Sequence, residues 1–196
     1  MQISKVQTAA DEIARARLAG LRLAPLHAAL RPADEAAGYA VQAAVHDRLA
    51  ATAGRRVGYK IGCTTTVMQQ YLGIPSPCSA GVFERGVHRS GVTLPFDDYR
   101  RVGVECEIAV RVGRDLTGPD FGIDTLRDAV AAYMAAIEIV DDRYKDWRTT
   151  DTPTLIADDF FAAGCVLGTP VADPGDAAAL VGVTTINGAE VGRGVG

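Results

Sequence analysis

Residues 101–112 constrain this chain more than any other stretch. Val104, Cys106, Ile108, Val110 and Val112 alternate with Glu105, Glu107, Ala109 and Arg111. A period of two marks an extended strand with one apolar and one polar face. The expected fold is therefore built around sheet. Twenty-one glycines and nine prolines against 6% aromatics agree, since they imply many turns. The 196 residues leave room for one domain of ordinary size, or a core domain with a small appendage.

The appendage is expected at residues 1–55. Thr8-Ala-Ala-Asp11 reads as a capping box opening a first helix that Gly20 stops. A second helix is expected to begin near Pro32, with Ala37, Val41, Ala44, Val45 and Leu49 as its buried stripe and Gly54 as its end. Residues 56–196 then read as a mixed β domain. Short strands are expected at 57–61 and 80–83, separated by a proline-interrupted loop at 73–79. Leu116-Thr-Gly-Pro-Asp120 reads as a turn. Asp124 is expected to cap a helix with Leu126, Val130, Tyr133 and Met134 as its core stripe, running into a strand at 137–140.

Further strands are expected at 160–167 and 181–186, and Asn187-Gly188 is a type I′ hairpin signal. The return strand Ala189-Glu-Val191 is followed at once by Gly-Arg-Gly-Val-Gly, which reads as a domain cut short. Gly192-x-Gly-x-Gly196 does not read as a dinucleotide loop, because no helix follows to hold a phosphate.

Composition narrows the function classes. With 48% hydrophobic and 22% charged residues the chain reads as a soluble globular protein. A net charge of -4 points away from nucleic acid. Asp, Glu and Arg break every alanine-rich run, so no membrane span is expected, and Met1-Gln2-Ile3-Ser4-Lys5 lacks the apolar core of a signal peptide. Cys63, Cys78, Cys106 and Cys165 form no C-x-x-C pair and read as buried free thiols in a reducing cytosol.

Three features carry chemistry. Residues two apart on a strand share a face, so Glu105 and Glu107 project side by side; they form either a solvated face or a hard-cation site. Glu138 sits in Ala135-Ala-Ile-Glu-Ile-Val140, where burial is expected and an ionised carboxylate needs compensation. Arg143 or Lys145 could supply it, as could a cation shared with Glu105 and Glu107. Lys60 lies between Tyr59 and Ile61, where partial desolvation would let it exchange protons near neutrality, unless it snorkels to water. His27, His46 and His88 match no zinc spacing, and His46 is expected on the charged side of its helix. Arg55-Arg56 and Arg100-Arg101 read as solvated turn charges, and Trp147 as packing.

Taken together, Tyr59-Lys-Ile-Gly62, Val104-Glu-Cys-Glu-Ile-Ala109, Ala136-Ile-Glu-Ile-Val-Asp141, Ile156-Ala-Asp158 and Gly164-Cys-Val-Leu-Gly168 resemble the 2-keto-4-pentenoate hydratase family. That family belongs to the fumarylacetoacetate hydrolase superfamily, alongside 4-oxalocrotonate decarboxylases. The resemblance implies an α+β fold, a mixed β-sheet roll with a small N-terminal helical region. It implies that Glu105, Glu107 and Glu138 ligate Mg²⁺ or Mn²⁺, and that Lys60 lines the pocket of a small 2-oxo acid. A cytoplasmic homo-oligomer acting in aromatic-compound catabolism is implied as well, with neither nucleic acid nor membrane as partner.

Three departures stand out. Pro77-Cys-Ser-Ala-Gly81 lacks the acidic residue usual in hydratases, Asp158-Asp-Phe-Phe-Ala-Ala163 replaces A-D-N followed by small residues, and family members continue for several tens of residues beyond this terminus. The implied reaction is hydration of a 2-hydroxy-dienoate or 2-oxo-enoate such as 2-oxopent-4-enoate, with the cation stabilising an enolate and Lys60 moving protons. The same site would also serve an oxalocrotonate-type decarboxylase or an acylpyruvate hydrolase. A further alternative is a non-catalytic partner subunit.

Overall fold

The computed structural model describes residues 4–118 and 121–195. Met1, Gln2 and Ile3 of the N-terminal segment, Pro119 and Asp120 of the expected turn, and Gly196 of the terminal glycine run lie outside the described residues. Contacts divide the chain into two compact units. The first comprises the chain up to Val87 together with Thr93–Gly103 and Ile139–Gly164; the second comprises His88–Val92, Val104–Glu138 and the chain from Cys165 onward.

In the first unit, helix α1 (Lys5–Leu18) packs on α2 (Glu35–Ala53). Helix α1 starts a turn earlier than expected. Ser4, not Thr8, is its N-cap and accepts from the Gln7 amide at 3.3 Å, while the Thr8 hydroxyl donates to Ser4 O from inside the helix. The stop at Gly20 is as expected. Its φ of 61° lets the Gly20 and Leu21 amides return to Arg17 O and Ala16 O. Helix α2 is capped by Asp34, whose carboxylate accepts from the Ala37 amide, so it begins three residues beyond Pro32. Val41, Ala44, Val45 and Leu49 form its buried stripe; Ala37 is only half-buried.

Strand β1 (Arg56–Gly62) pairs antiparallel with β2 (Cys78–Phe83), with Lys60 opposite Ala80. Between them, α3 (Thr66–Leu72) is a helix that hydropathy does not reveal, because none of its residues is buried. Gly73 ends it in the left-handed conformation, and Pro75 and Pro77 follow in loop as expected. Helix α5 (Thr152–Ala157) packs on α2. Gln42 joins these elements by donating to Ser79 O at 3.0 Å and Ile156 O at 2.8 Å.

After α5 the backbone does something no pattern announces. Asp159, Phe160 and Phe161 have φ of 61°, 43° and 67°. Three successive non-glycine residues in the left-handed region cost roughly 1–2 kcal/mol each. The strand expected from 160 consequently begins at Ala162.

Most residues of a four-stranded sheet, in the order β3 (Val87–Arg89), β6 (Ala162–Leu167), β5 (Val130–Asp141), β4 (Val102–Val112), fall in the second unit. Strand β4 confirms the alternating segment. The expected long helix after Asp124 is corrected: α4 (Ile123–Ala129) is short, its N-cap is Gly122, and Val130, Tyr133 and Met134 belong to β5. Residues 130–138 satisfy a period of two as well as of 3.6, and Ala132, Met134, Ala136 and Glu138 are the buried alternates. Pairing with neighbours on both sides selects the strand, overriding local helical preference. Strands β7 (Val181–Ile186) and β8 (Ala189–Val195) form a hairpin around Asn187 and Gly188, with φ of 53° and 81°. Gly192 and Gly194 lie within β8, which runs further than expected.

A second correction concerns β4's apolar face. Val104 and Val112 are 54% and 57% exposed, and Cys106 is exposed too, so this face is not an inner side. Of the four free cysteines only Cys78 is buried. Among the described residues no helix is long and apolar enough to cross a membrane.

The α2–α5 contact depends on a missing side chain. A Cβ on Gly38 would lie 2.6 Å from Pro153 O and 3.3 Å from Ile156 Cβ. Overpacking of this kind costs roughly 1–3 kcal/mol, against about 1 kcal/mol of helix propensity gained. Gly38→Ala should lower the urea midpoint while leaving the m value unchanged.

Candidate metal centre

Strand β4 carries Glu105 and Glu107 on one face, and its neighbour β5 carries Glu138. Backbone bonds bracket the pair, from Asp142 N–H to Arg101 O and from Gly113 N–H to Ala129 O, so the strands run antiparallel and bring Glu138 level with Glu105, Glu107 following two residues further along the same face. One carboxylate oxygen from each of Glu105, Glu107 and Glu138 lies within 4.8 Å of the others. Around a cation with ligands at about 2.1 Å, adjacent octahedral oxygens are roughly 3.0 Å apart and opposite ones roughly 4.2 Å. At the ~2.4 Å typical of calcium these become roughly 3.4 and 4.8 Å. The cluster thus fits one hard cation with little rearrangement, and its all-oxygen donors suit magnesium, calcium or manganese.

Burial divides the three. Glu105 and Glu107 are exposed, whereas Glu138 is 8% exposed. Glu138 takes the next buried position after Ala132, Met134 and Ala136, so the strand's alternation turns its carboxylate inward. Nearby on β6, burial pushes the Cys165 thiol pKa up and the Glu138 charge pushes it further. Arg143, offered by the sequence as a partner for Glu138, instead pairs with Asp158 at 3.1 Å and also donates to Phe161 O and Ala162 O. Lys145 is exposed.

Lys60 belongs to the first unit. It shares the half-buried face of β1 with Gly58 and Gly62, while Val57, Tyr59 and Ile61 face outward. The expectation of an apolar setting is therefore corrected in part: its sequence neighbours point away from it. The Lys60 ammonium donates to Phe160 O at 3.1 Å.

Sequence reasoning missed the charge network behind that carbonyl. His46, expected on a charged helix face, is buried, with Nε2 donating to Asp159 Oδ1 at 2.7 Å. Arg17 Nη1 donates to Asp159 Oδ2 at 2.7 Å, and the Gly81 amide to Oδ1 at 3.0 Å. Burial alone would raise the Asp159 pKa, but the His46 hydrogen bond, the Arg17 charge and the Gly81 amide outweigh it and lower the group to about 2. Its neighbour Asp158 goes the other way, raised by burial against the pull of Arg143 and Arg17. The available signal was two adjacent aspartates inside Leu155-Ile-Ala-Asp-Asp-Phe-Phe-Ala-Ala163, the same argument that marked Glu138. Arg55 is exposed as expected, whereas Arg56 opens β1 and reaches His46 Nδ1, and Trp147 packs edge-on against Phe161 and Tyr71.

Residues 84–196, more than half of the chain, match the family model described as fumarylacetoacetate (FAA) hydrolase C-terminal. The chain belongs to the fumarylacetoacetate hydrolase family. Among curated relatives of this fumarylacetoacetate hydrolase family member, a TodF product hydratase of Pseudomonas putida is 37% identical over 166 residues, covering 83% of this chain and 60% of the relative. A 2-keto-4-pentenoate hydratase of Paraburkholderia phymatum is 34% identical over 167 residues, covering 84% of this chain and 63% of the relative. The chain thus spans about 60% of the length of these relatives.

The fold matches 4-oxalocrotonate decarboxylase of Pseudomonas putida G7, complexed with magnesium and adipate, with a TM-score of 0.90. That match covers 99% of this chain and 75% of that one at 21% identity, so the likeness is one of fold. The α+β architecture expected from the resemblance is the one observed.

The depressed pKa of Asp159 makes a signed forecast. Its folded pKa lies below the ordinary 3.8, so its stabilisation is present above that value and is lost as pH falls through about 2. The difference corresponds to about 2 kcal/mol at neutral pH. Urea unfolding of wild type and Asp159→Asn should show a stability gap that is widest above about pH 5 and closes towards pH 2.

Proposed function

We propose that this chain carries the metal centre of a hydro-lyase that adds water to a 2-hydroxy-dienoate or 2-oxo-enoate such as 2-oxopent-4-enoate. The observation that carries the reading is the approach of Glu105, Glu107 and Glu138 to within 4.8 Å of one another on adjacent strands. The names of the hydratase relatives support the substrate class. Together the ligands bring three negative charges from a single sheet, so a divalent ion leaves the site with spare coordination positions and a net charge near -1. Glu138 is the rigid member, held by the buried alternation of β5. Bound there, Mg²⁺ or Mn²⁺ would supply Lewis acidity toward the carboxylate and C2 oxygen of a chelating 2-oxo acid.

Lys60 is proposed to move the proton that tautomerisation and hydration require, a role carried by the family resemblance and by its half-buried setting on β1. The E-x-E of Glu105 and Glu107 and the later Glu138-Ile-Val-Asp141 follow the order that the family resemblance calls for, whereas Asp158-Asp-Phe-Phe departs from its A-D-N segment. Decarboxylation and acylpyruvate hydrolysis therefore stay in the test as rival outcomes.

Calorimetry with Mn²⁺ and a substrate panel separate these readings. Glu138→Gln should lose at least ~10–100-fold in Mn²⁺ affinity, the cost of losing even an outer partner of a ligand. Full affinity together with full turnover in that variant would sink the ligand set. Lys60→Met should keep Mn²⁺ affinity while turnover drops by roughly 10²–10⁴. Water uptake by 2-oxopent-4-enoate marks the hydratase, and CO₂ release from an oxalocrotonate marks the decarboxylase. Mn²⁺ binding with no turnover of any 2-oxo acid marks a non-catalytic subunit.

A further inference from the structure

Asp159 is a fully buried carboxylate, 0% exposed, on a backbone turn that resists formation. Its three donors come from three different elements. Arg17 lies on α1, His46 on α2 and Gly81 on β2. Arg56 Nη1 lies 3.3 Å from His46 Nδ1 and donates to it, which leaves Nε2–H to face the carboxylate. Gly81 makes the room, since a Cβ there would lie 2.7 Å from His46 Cε1.

Two further contacts give this clamp a direction. In the β1–β2 register, Gly81 stands opposite Tyr59 and Ala80 opposite Lys60, so one bond of Asp159 secures the strand that backs Lys60. The residue after Asp159 presents its carbonyl to the Lys60 ammonium at 3.1 Å. Without the clamp, the left-handed run of Asp159, Phe160 and Phe161 has every reason to relax, and the Phe160 carbonyl would turn with it.

We propose that Asp159 is a positioning residue for Lys60: gripped by Arg17, His46 and the Gly81 amide, it locks the left-handed turn that holds the Phe160 carbonyl against the Lys60 ammonium. The geometric part stands on this unit alone. Its bearing on turnover rests on the reading of Lys60 as the proton-moving residue.

The chain has only three lysines, Lys5, Lys60 and Lys145. Lys5 and Lys145 are exposed and serve as internal references. Limited acetylation with acetic anhydride, followed by peptide mass spectrometry, reads the Lys60 rate against theirs. In wild type, Lys60 should react several-fold more slowly than either reference. Asp159→Ala should raise the Lys60 rate about tenfold, the value of one hydrogen bond to a charged group, and leave Lys5 and Lys145 unchanged. Asp159→Asn keeps acceptors for His46 and Gly81 and should restore most of the protection.

Val45→Ala, a core truncation that keeps Asp159 and its three donors, controls for a general loss of stability and should leave the Lys60 ratio at the wild-type value. If Asp159→Ala does not fold, His46→Gln takes its place, and a Lys60 ratio raised more than twofold is expected. A wild-type ratio in Asp159→Ala or His46→Gln, or an equal rise in Val45→Ala, overturns the proposal. Turnover separates the two claims: faster Lys60 labelling with undiminished kcat upholds the clamp and removes Lys60 from the chemistry.

Discussion

An ionised carboxylate loses most of its hydration when it is buried, and something must replace the water. That requirement organises both units of this chain. Glu138 and Asp159 are each buried, at 8% and 0% exposure, in apolar sequence where a neutral residue would cost nothing. Each is surrounded by devices that make sense only if charge is to be kept there.

The two solutions differ in kind. At Asp159 the protein supplies the compensation itself, with a guanidinium, an imidazole N–H and a backbone amide converging at 2.7, 2.7 and 3.0 Å. The result is an acid lowered to about 2 and a backbone turn strained through three residues. Around Glu138 the sheet gathers more negative charge, from Glu105 and Glu107 on the adjacent strand. Like charges at such spacing repel, and a divalent cation bound among them would reverse the sign of that energy. A rigid clamp and, on the metal reading proposed above, a cation seat are thus two answers to one electrostatic problem.

Such arrangements oppose local preference, which is why they read as functional. The Asp159–Phe161 turn sets non-glycine residues in a conformation they avoid. The 130–138 segment gives up a helical reading so that Glu138 can lie beside β4. In each case packing across elements sustains what the local chain would not adopt alone.

Several features were legible in the amino-acid order because they rest on local periodicity and chemistry. The alternation of 101–112, the stops at Gly20 and Gly54, the Asn187-Gly188 hairpin and the hard-donor character of Glu105 and Glu107 all belong here. So did the suspicion of burial at Glu138. What tertiary structure alone decided was pairing. Whether 130–141 is helix or strand, whether the apolar face of β4 is covered, and whether His46 faces water or Asp159 all depend on which distant segment arrives alongside. Periodicity specifies a face, but the neighbour that meets that face is chosen by packing and charge compensation summed over the whole unit.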